Sequence, residues 1–304
     1  MASHVPAHTR GRQRAWTAKR RRWAAWLTAL ALVTPFVVVY LMFFLYPAAE
    51  VVRLSFTNAD ISGVGDYVGF ANYARLLHDA LFWKALRNTG YFVVLTVVPG
   101  SALALVFALM VVRLKRLRSF VMASFFLPNI LPVSVVTLIW AWLLDPRFGI
   151  VNQVLGTSIP WFQDPDWAMP AVALVTVWWV VGFSMLLFIA GLQNVPKEYH
   201  EAASIDGASN RQVFRHVTWP LLWPITTLVL TLQLIAQLKI FAQIYLLTRG
   251  GPFNSTIVML QYMYRTAFQQ FNAGYASAIA MVLFVIILGT SLFQYYFLRS
   301  RGAR

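Results

Sequence analysis

The chain has 304 residues, of which 59% are hydrophobic and only 12% are charged, and its net charge is +15. A soluble domain carries about 25% charged residues, so this composition excludes a protein whose surface mostly faces water. Because the chain has no cysteine, a disulfide framework, a thiolate metal site and a cysteine nucleophile are also excluded.

Six apolar segments predict membrane-spanning helices. Each has about 20 residues or more, the length that a hydrocarbon layer of about 30 Å requires. The first is too long for the apolar region of a signal peptide, and no small-residue cleavage pattern follows it, so we interpret it as an uncleaved anchor. The predicted spans are residues 24–46, 89–112, 119–144, 170–192, 221–247 and 274–298.

The distribution of Lys and Arg indicates how these spans are oriented. Basic residues are concentrated before the first span and in alternate connections after it, whereas the other connections contain more Asp. Cytoplasmic loops carry an excess of Lys and Arg, so both termini are expected in the cytoplasm. Nucleic-acid binding is the weaker alternative, because anionic lipid accounts for the same charge. The basic segments are residues 10–22, 113–118, 193–220 and 299–304.

The connection between the fourth and fifth spans predicts a helix rather than a simple loop. Pro196 fits the first turn of a helix, where its missing N–H has no cost. Glu198 and Glu201 follow in the early turns, where acidic side chains interact favourably with the helix dipole. Asp206 and Gly207 are expected to end this helix, since glycine accepts the left-handed conformation found at such ends.

A second helix is predicted directly after this turn. Ser209 and Gln212 have the spacing of a capping box, and the helix they begin continues into the fifth span. In the first helix, Ala202 and Ala203 allow a partner surface to approach closely, and the two glutamates offer charge to Lys or Arg of that partner. An amphipathic helix on lipid is the alternative, but such helices are typically rich in Lys and Arg. We therefore favour docking to a protein.

These residues resemble a known motif. Glu201-Ala202-Ala203, three residues, Gly207, nine residues and then Val217-x-Trp219-Pro220 is similar to the EAA loop of permease subunits of binding-protein-dependent ABC importers, although the usual ending is Ile-x-Leu-Pro. The likeness is strongest to the carbohydrate-uptake family, that of the maltose and glycerol-3-phosphate permeases, and extends over about residues 24–298. Supporting motifs are Phe56-Thr57-Asn58, Leu247-Thr248-x-Gly250-Gly251-Pro252 and Gly274-Tyr275-Ala276-Ser277-Ala278.

The resemblance implies an all-α membrane helix bundle with six transmembrane helices and a cytoplasmic coupling helix in an EAA loop at residues 193–224. A basic arm, residues 1–23, would precede the permease domain, residues 24–298, and a short cytoplasmic tail, residues 299–304, would follow it. The residues expected to contact the ATPase are Glu198, Glu201, Ala202, Ala203, Asp206 and Gly207.

The resemblance also implies a division of labour in a prokaryotic plasma membrane. The chain has no G-x-x-x-x-G-K-[ST] phosphate loop, so ATP and Mg²⁺ are expected on a partner and no cofactor on this chain. The expected partners are a second permease subunit, an ATPase dimer and an extracytoplasmic solute-binding protein. The expected function is import of a sugar, and the alternative is a non-sugar solute such as a polyol phosphate.

Polar residues within the spans are candidates for the substrate path. Gln233 and Gln237 are four residues apart and share a helix face. The resemblance to the maltose permease places this face, Gly182 and Trp178 where substrate contacts occur, although Trp178 replaces an expected polar residue. The alternatives are hydrogen bonding between helices for the glutamines and core packing for the tryptophan.

Lys239 is the one basic residue within a predicted span. With Gln243, four residues later, it is expected to form a second face of the fifth span. Lys239 could contact an anionic substrate, pair with an acidic residue of the companion permease or extend to the membrane surface. Asn129 is expected to satisfy carbonyls freed by the neighbouring prolines, Pro128 and Pro132.

Two other classes of membrane protein are disfavoured by the sequence. A membrane enzyme should show paired His, Asp or Glu in its spans, but the five histidines have no metal-ligand spacing and the carboxylates no catalytic pairing. A self-sufficient secondary carrier should show internal repeats and buried acidic residues for ion coupling, and neither is apparent.

Overall fold

The computed structural model describes residue 23 and residues 26–302. The predicted basic arm, residues 1–23, lies outside this part of the chain apart from Trp23, as do the last two residues of the tail. The described elements are helices and two isolated β-bridges, Thr57 with Tyr67 and Asp60 with Asn272. The helices are α1 (Trp26–Leu54), α2 (Ala71–His78), α3 (Ala80–Val112), α4 (Arg118–Ile130), α5 (Val133–Leu143), α6 (Ile150–Leu155), α7 (Pro165–Gln193), α8 (Lys197–Ile205), α9 (Asn210–Leu238), α10 (Ala242–Leu247), α11 (Met259–Phe268) and α12 (Ala273–Gly302).

The chain divides into two units at Leu54. Helix α1, in the first unit, is longer than the predicted span and consists largely of exposed apolar side chains. It contains one π-helical turn, Leu41–Leu45. Pro47 explains this turn, because proline has no N–H for the carbonyl of Phe43 and its ring clashes with that carbonyl in a regular α-helix.

Three clusters of buried apolar side chains stabilise the second unit. One joins α3, α5, α7 and α10, another joins α2, α3, α11 and α12, and a third joins α3, α7 and α9. Helix α7 begins where Asp164 accepts a hydrogen bond from the amide of Asp166, with Pro165 in the first turn. Since α3 contributes to all three clusters and α7 to two, these helices form the centre of the unit.

Five helices of the described chain are long and apolar enough to cross a membrane, and there are six such segments if the bent pair α4 and α5 is counted as one span. The predicted span over residues 119–144 is a bent pair of helices and not one continuous helix, because α4 and α5 meet at 100°. Leu131 between them is extended, with φ −69° and ψ 138°. The cause is Pro132, since a residue before proline is disfavoured in the α conformation.

The predicted span 221–247 also contains a break. Helix α9 ends at Leu238, and Phe241 has the non-helical angles φ −146° and ψ −60°. The expected second face formed by Lys239 and Gln243 is therefore wrong, because no continuous helix joins them: Lys239 is exposed at the break and Gln243 is buried in α10. No proline lies here, and the break instead lets Ile240 and Ile244 enter the core beside α5 and α7.

A single carboxylate joins helices at the end of the unit where α3 begins. One oxygen of Asp79 accepts hydrogen bonds from the amides of Leu81 and Phe82 and so caps α3. The other accepts the hydroxyls of Tyr275, at 2.5 Å, and Tyr262. Asp79 thereby links helices α3, α11 and α12. In addition, the guanidinium of Arg75 in α2 lies 4.0 Å above the centre of the Tyr275 ring.

These contacts shift the ionisation of the cluster. Burial raises the pKa of the Asp79 carboxyl, but the four hydrogen bonds outweigh burial, so its pKa lies below the ordinary value. Burial and the neighbouring Asp79 carboxylate raise the pKa of Tyr262 to about 12. Tyr262 therefore keeps its proton at neutral pH and donates to the carboxylate.

Replacing Asp79 by Asn tests this cluster. Asn retains the helix cap but loses the charge-assisted bonds, so we expect a loss of about 1–2 kcal/mol for this half-buried group and a melting temperature lower by roughly 2–6 °C. The melting temperature is measured from the tryptophan fluorescence of the purified protein during heating. Because the folded pKa is lowered, the wild-type contribution is present above pH ~4 and is lost as the pH falls through the folded pKa.

The matched control is Asp66→Asn, since Asp66 is exposed and its carboxylate has no hydrogen bond within the described residues. Its melting temperature should stay within about 1 °C of the wild type. Equal melting of Asp79→Asn and Asp66→Asn would contradict the assignment.

Candidate functional site

The connection between α7 and α9 is a compact helical hairpin. Helix α8 ends at Ile205, and Gly207 has φ +73°. The amide of Ala208 donates to the carbonyl of Ala203 at 3.0 Å, and the amide of Gly207 donates to that of Ser204 at 3.1 Å. This pair of bonds is a Schellman motif, and it confirms the predicted turn at Asp206 and Gly207.

The second helix of the hairpin begins with the predicted capping box. The side-chain oxygen of Gln212 accepts the amide of Ser209 at 2.8 Å and its hydroxyl at 2.7 Å. Helix α9 then contains a π-helical turn, Phe214–Thr218. Pro220 follows by two residues, the same spacing that relates Pro47 to the π turn of α1. The Schellman motif at Gly207 and the capping box at Ser209 thus fix the backbone on both sides of the turn in the hairpin.

The outer surface of α8 is uncovered. Apolar side chains that would normally be buried face outward, with Ile205 86% and Tyr199 55% exposed. Among the side chains that the structure describes, the ion pair Arg53–Glu50 is the only one, and no described Lys or Arg side chain pairs with the carboxylates of α8. Of the residues predicted to contact an ATPase, Ala203 is half-buried and the others are exposed: Glu198, Glu201, Ala202, Asp206 and Gly207.

The two glutamines of α9 line a cavity of about 230 Å³ between α4, α7 and α9. The carboxamide of Gln237 donates to that of Gln233 at 3.1 Å, which in turn donates to the hydroxyl of Ser184 at 2.8 Å. Their expected common face is therefore confirmed. Asn129 lines the same cavity, and its side chain has no hydrogen bond among the described residues. The remaining lining is apolar, so the cavity presents a few carboxamides to a solute and no charged group.

Other residues predicted for the substrate path lie outside this cavity. A Cβ on Gly182 would lie 1.9 Å from the carbonyl oxygen of Phe125, so this glycine lets α7 and α4 pack in direct contact. Trp178 lines a separate cavity of about 410 Å³ beside Phe125 and Pro128, and its ring meets that of Trp140 at 5.4 Å. The structure thus brings the glutamines together but separates them from Trp178, Gly182 and Lys239.

Two residues that line the cavity were not among the residues predicted for the substrate path. Ser184 is one turn beyond Val180 on α7. From the sequence alone, it could not be distinguished from the Ser and Thr residues whose hydroxyls hydrogen-bond to the backbone of their own helix. Asn129 follows Pro128. This position led to the prediction that its side chain hydrogen-bonds to backbone carbonyls freed by the neighbouring prolines. An asparagine beside a helix break was nevertheless a usable signal, since such breaks line cavities in membrane proteins.

Metal binding has no support within the described chain. No group of three or more His, Asp or Glu side chains lies close enough together to hold an ion.

Residues 100–302 match the family of binding-protein-dependent transport system inner membrane components. The chain belongs to this family. The resemblance carried by the EAA-type hairpin is thereby confirmed, and the permease is a multi-pass inner membrane protein of the ABC transporter class, a transport subunit rather than a catalytic enzyme.

Relatives of the permease cover most of its length. The sulfoquinovosyl glycerol transport system permease SmoG of Agrobacterium fabrum is 32% identical over 277 residues, which cover 87% of this chain and 90% of the relative. The sn-glycerol-3-phosphate transport system permease UgpA of the same organism is 31% identical, with 89% and 94% covered. A chain in the crystal structure of a bacterial alginate ABC transporter, in complex with an alginate pentasaccharide-bound periplasmic protein, has a TM-score of 0.81 at 23% identity, with 95% and 98% covered. This likeness shows that the fold is shared.

Replacing Gln237 by Leu tests the cavity. Loss of one neutral hydrogen bond to a solute costs about 0.5–1.5 kcal/mol, so we expect the uptake KM to rise roughly 2- to 12-fold while the complex assembles normally. Gln233→Leu should also lower stability, by about 1–3 kcal/mol, because it leaves Ser184 and Gln237 without their buried partner. Uptake and co-purification of the subunits measure these effects.

Gln243→Leu is the matched control, since Gln243 is equally buried but lies outside the cavity. It should leave the uptake KM within about two-fold of the wild type. If Gln237→Leu reduced assembly as much as uptake, the carboxamide would have a packing role.

Proposed function

We propose that this permease moves a sugar across the plasma membrane, using ATP hydrolysed by a partner. The observation that carries the proposal is the rigid, uncovered hairpin of the EAA type, which ends directly in the helix that lines the carboxamide cavity. Hydroxyl-rich solutes suit this cavity, because carboxamides both donate and accept hydrogen bonds.

The mechanism that we propose is a mechanical connection along α9. Glu198, Glu201, Ala202, Ala203, Asp206 and Gly207 would occupy a cleft of the ATPase. Helix α9 begins at Asn210, just after the turn, and reaches Gln233 roughly 35 Å further along. Closure of the ATPase dimer that pulls α8 would therefore tilt α9 and reshape the cavity at its other end. A stiff turn matters here, since a flexible one would absorb the displacement.

The proposed orientation places the hairpin and both termini in the cytoplasm. The support is the concentration of Lys and Arg beside the hairpin, in the 113–118 loop and near the termini. The Asp79 cluster would then lie on the extracytoplasmic side, where α3 begins.

The proposed assembly contains a second permease subunit, an ATPase dimer and an extracytoplasmic solute-binding protein. Small-molecule sites usually have volumes of about 300–1,000 Å³, so a second permease would supply further walls to the 230 Å³ cavity. The family is described by its dependence on binding proteins, and the alginate transporter of the same fold was crystallised with a periplasmic protein. ATP and Mg²⁺ would be bound by the ATPase, and this chain would bind no cofactor.

A polyol phosphate is the second candidate substrate. Lys239 favours it, because this exposed cation lies two residues beyond Gln237 at the end of α9, and one relative is a glycerol-3-phosphate permease. We propose the sugar, with Trp178 and Gly182 lining or shaping its path, and a companion-permease carboxylate as the partner of Lys239.

Ligand screening of the cognate binding protein, combined with Lys239→Gln, separates these substrates. For a neutral sugar, the variant should keep the uptake KM within about two-fold of the wild type. For a phosphate, loss of a charged hydrogen bond of about 1.5–3 kcal/mol should raise the KM more than about ten-fold. A binding protein that bound polyol phosphates and ignored sugars would overturn our assignment.

Reversing the charge of Glu201 tests the coupling role. Glu201→Lys should weaken co-purification of the ATPase at least about ten-fold and abolish uptake, because a charge-assisted contact becomes repulsive. The amount of permease in the membrane should not change, since Glu201 is exposed on the outer surface of α8.

Asp66→Lys provides the control, because it reverses an exposed charge in the segment before α2 and should not affect ATPase binding. Unchanged co-purification and uptake in Glu201→Lys would contradict the docking role. Transport by the purified chain without any companion subunit would contradict the whole proposal.

A further inference from the structure

A further cavity, of about 430 Å³, lies where the ends of α3 and α7 meet the beginning of α9. It belongs to neither the carboxamide cavity nor the outer surface of α8. Most of its wall is apolar and half-buried or buried. The apolar lining consists of Leu109, Val112, Leu192, Val195, Val213 and Phe214.

The rim of this cavity is basic and polar. Arg113, at the end of α3, lines it together with Gln193 and Asn210. Behind Gln193, the guanidinium of Arg118 lies against the carboxamide of that residue. The Nε of Arg118 is buried and has no hydrogen-bond partner in the described chain. The rim therefore offers the N–H donors of Arg113, Gln193 and Asn210 and the positive charge of Arg113.

The charge at this rim is not neutralised by the protein. The one ion pair within the described residues is Arg53–Glu50 in α1, so neither Arg113 nor Arg118 has an acidic partner. The carboxylates of the hairpin, on Glu198, Glu201 and Asp206, make no ion pair with them. A ligand for this cavity should consequently be an anion.

We propose that the cavity binds an anionic phospholipid, with its phosphate at Arg113 and Asn210 and part of an acyl chain along the apolar wall. A free phosphate has the same headgroup chemistry but would leave six apolar side chains uncovered. An anionic lipid satisfies both parts of the cavity, as basic pockets between membrane helices do. The proposal goes beyond the transport function, although it uses the proposed orientation, which places the rim at the cytoplasmic leaflet.

The position of the cavity gives the lipid a mechanical role. Phe214 and Thr218, the two ends of the π turn in α9, both line it. Such turns occur frequently at functional sites. A lipid here would fill the space between the ends of α3 and α7 and α9, the helix that would carry the displacement of the hairpin. Anionic lipid should therefore stiffen the connection between ATPase and cavity.

The experiment measures lipid binding to the purified complete transporter by native mass spectrometry, with phosphatidylglycerol and phosphatidylcholine compared at equal concentration. The wild type should retain phosphatidylglycerol preferentially. Arg113→Gln should weaken this retention about five-fold, since one basic residue near an anionic surface contributes about 1 kcal/mol. Val213→Trp, which fills the apolar wall without changing charge, should weaken it as well.

Lys115→Gln is the matched control, because Lys115 is an exposed cation of the same loop that does not line the cavity. It should retain phosphatidylglycerol as the wild type does. Equal losses in Arg113→Gln and Lys115→Gln would overturn the proposal in favour of diffuse surface attraction. If the wild type showed no preference for phosphatidylglycerol over phosphatidylcholine, that result alone would overturn the proposal.

The last part of the experiment uses inorganic phosphate as a competitor. If 10-fold excess phosphate displaced the lipid and Val213→Trp had no effect, the site would bind free phosphate and the lipid assignment would be wrong. If Arg113→Gln released the ATPase instead of lipid, the rim would be a protein contact. Since lipid retention is measured without transport, either result is independent of the proposed sugar import.

Discussion

Inside a hydrocarbon layer no water is available to bond exposed N–H and C=O groups, so the backbone must satisfy them itself. The architecture of this permease depends on that constraint. Regular helices fill the apolar segments, and each departure from them is compensated locally. Pro47 and Pro220 are each preceded by a π turn, whereas Pro132 turns the chain through 100°. Asn129, two residues before the extended Leu131 at this bend, lines the carboxamide cavity.

Polar side chains of the bundle have two different roles. At Asp79, both carboxylate oxygens are fully used, by two amides and two tyrosine hydroxyls, and the cluster stabilises the junction of three helices. Along α7 and α9, the series from Gln237 through Gln233 to Ser184 is incomplete, because Asn129 opposite it has no partner in the described chain. A saturated network stabilises a fold, whereas an unsaturated one leaves bonding capacity for a ligand.

Helix α9 connects the features that matter for transport. Its first turns form half of the hairpin, its π turn lines the basic cavity and its far end carries the two glutamines. Force applied to α8 must pass through the Schellman turn at Gly207 and the capping box at Ser209 before it reaches the bundle. Both are local hydrogen-bond motifs that keep the angle between the two helices. In the mechanism that we propose, a small displacement of α8 would therefore be passed on to α9.

The sequence alone determined several features that depend on neighbours along the chain: the apolar spans, the turn at Gly207, the capping box of Ser209 and Gln212, and the common face of Gln233 and Gln237. It also determined the family, since the hairpin motif lies within about 20 residues. Only the tertiary structure decided that Trp178 and Gly182 lie apart from the glutamines, that Ser184 and Asn129 join them, and that α9 ends at Leu238 with no proline to stop it. These outcomes depend on contacts between distant segments, such as Ile240 and Ile244 in the core or Gly182 against the Phe125 carbonyl, where packing energy outweighs local helix propensity.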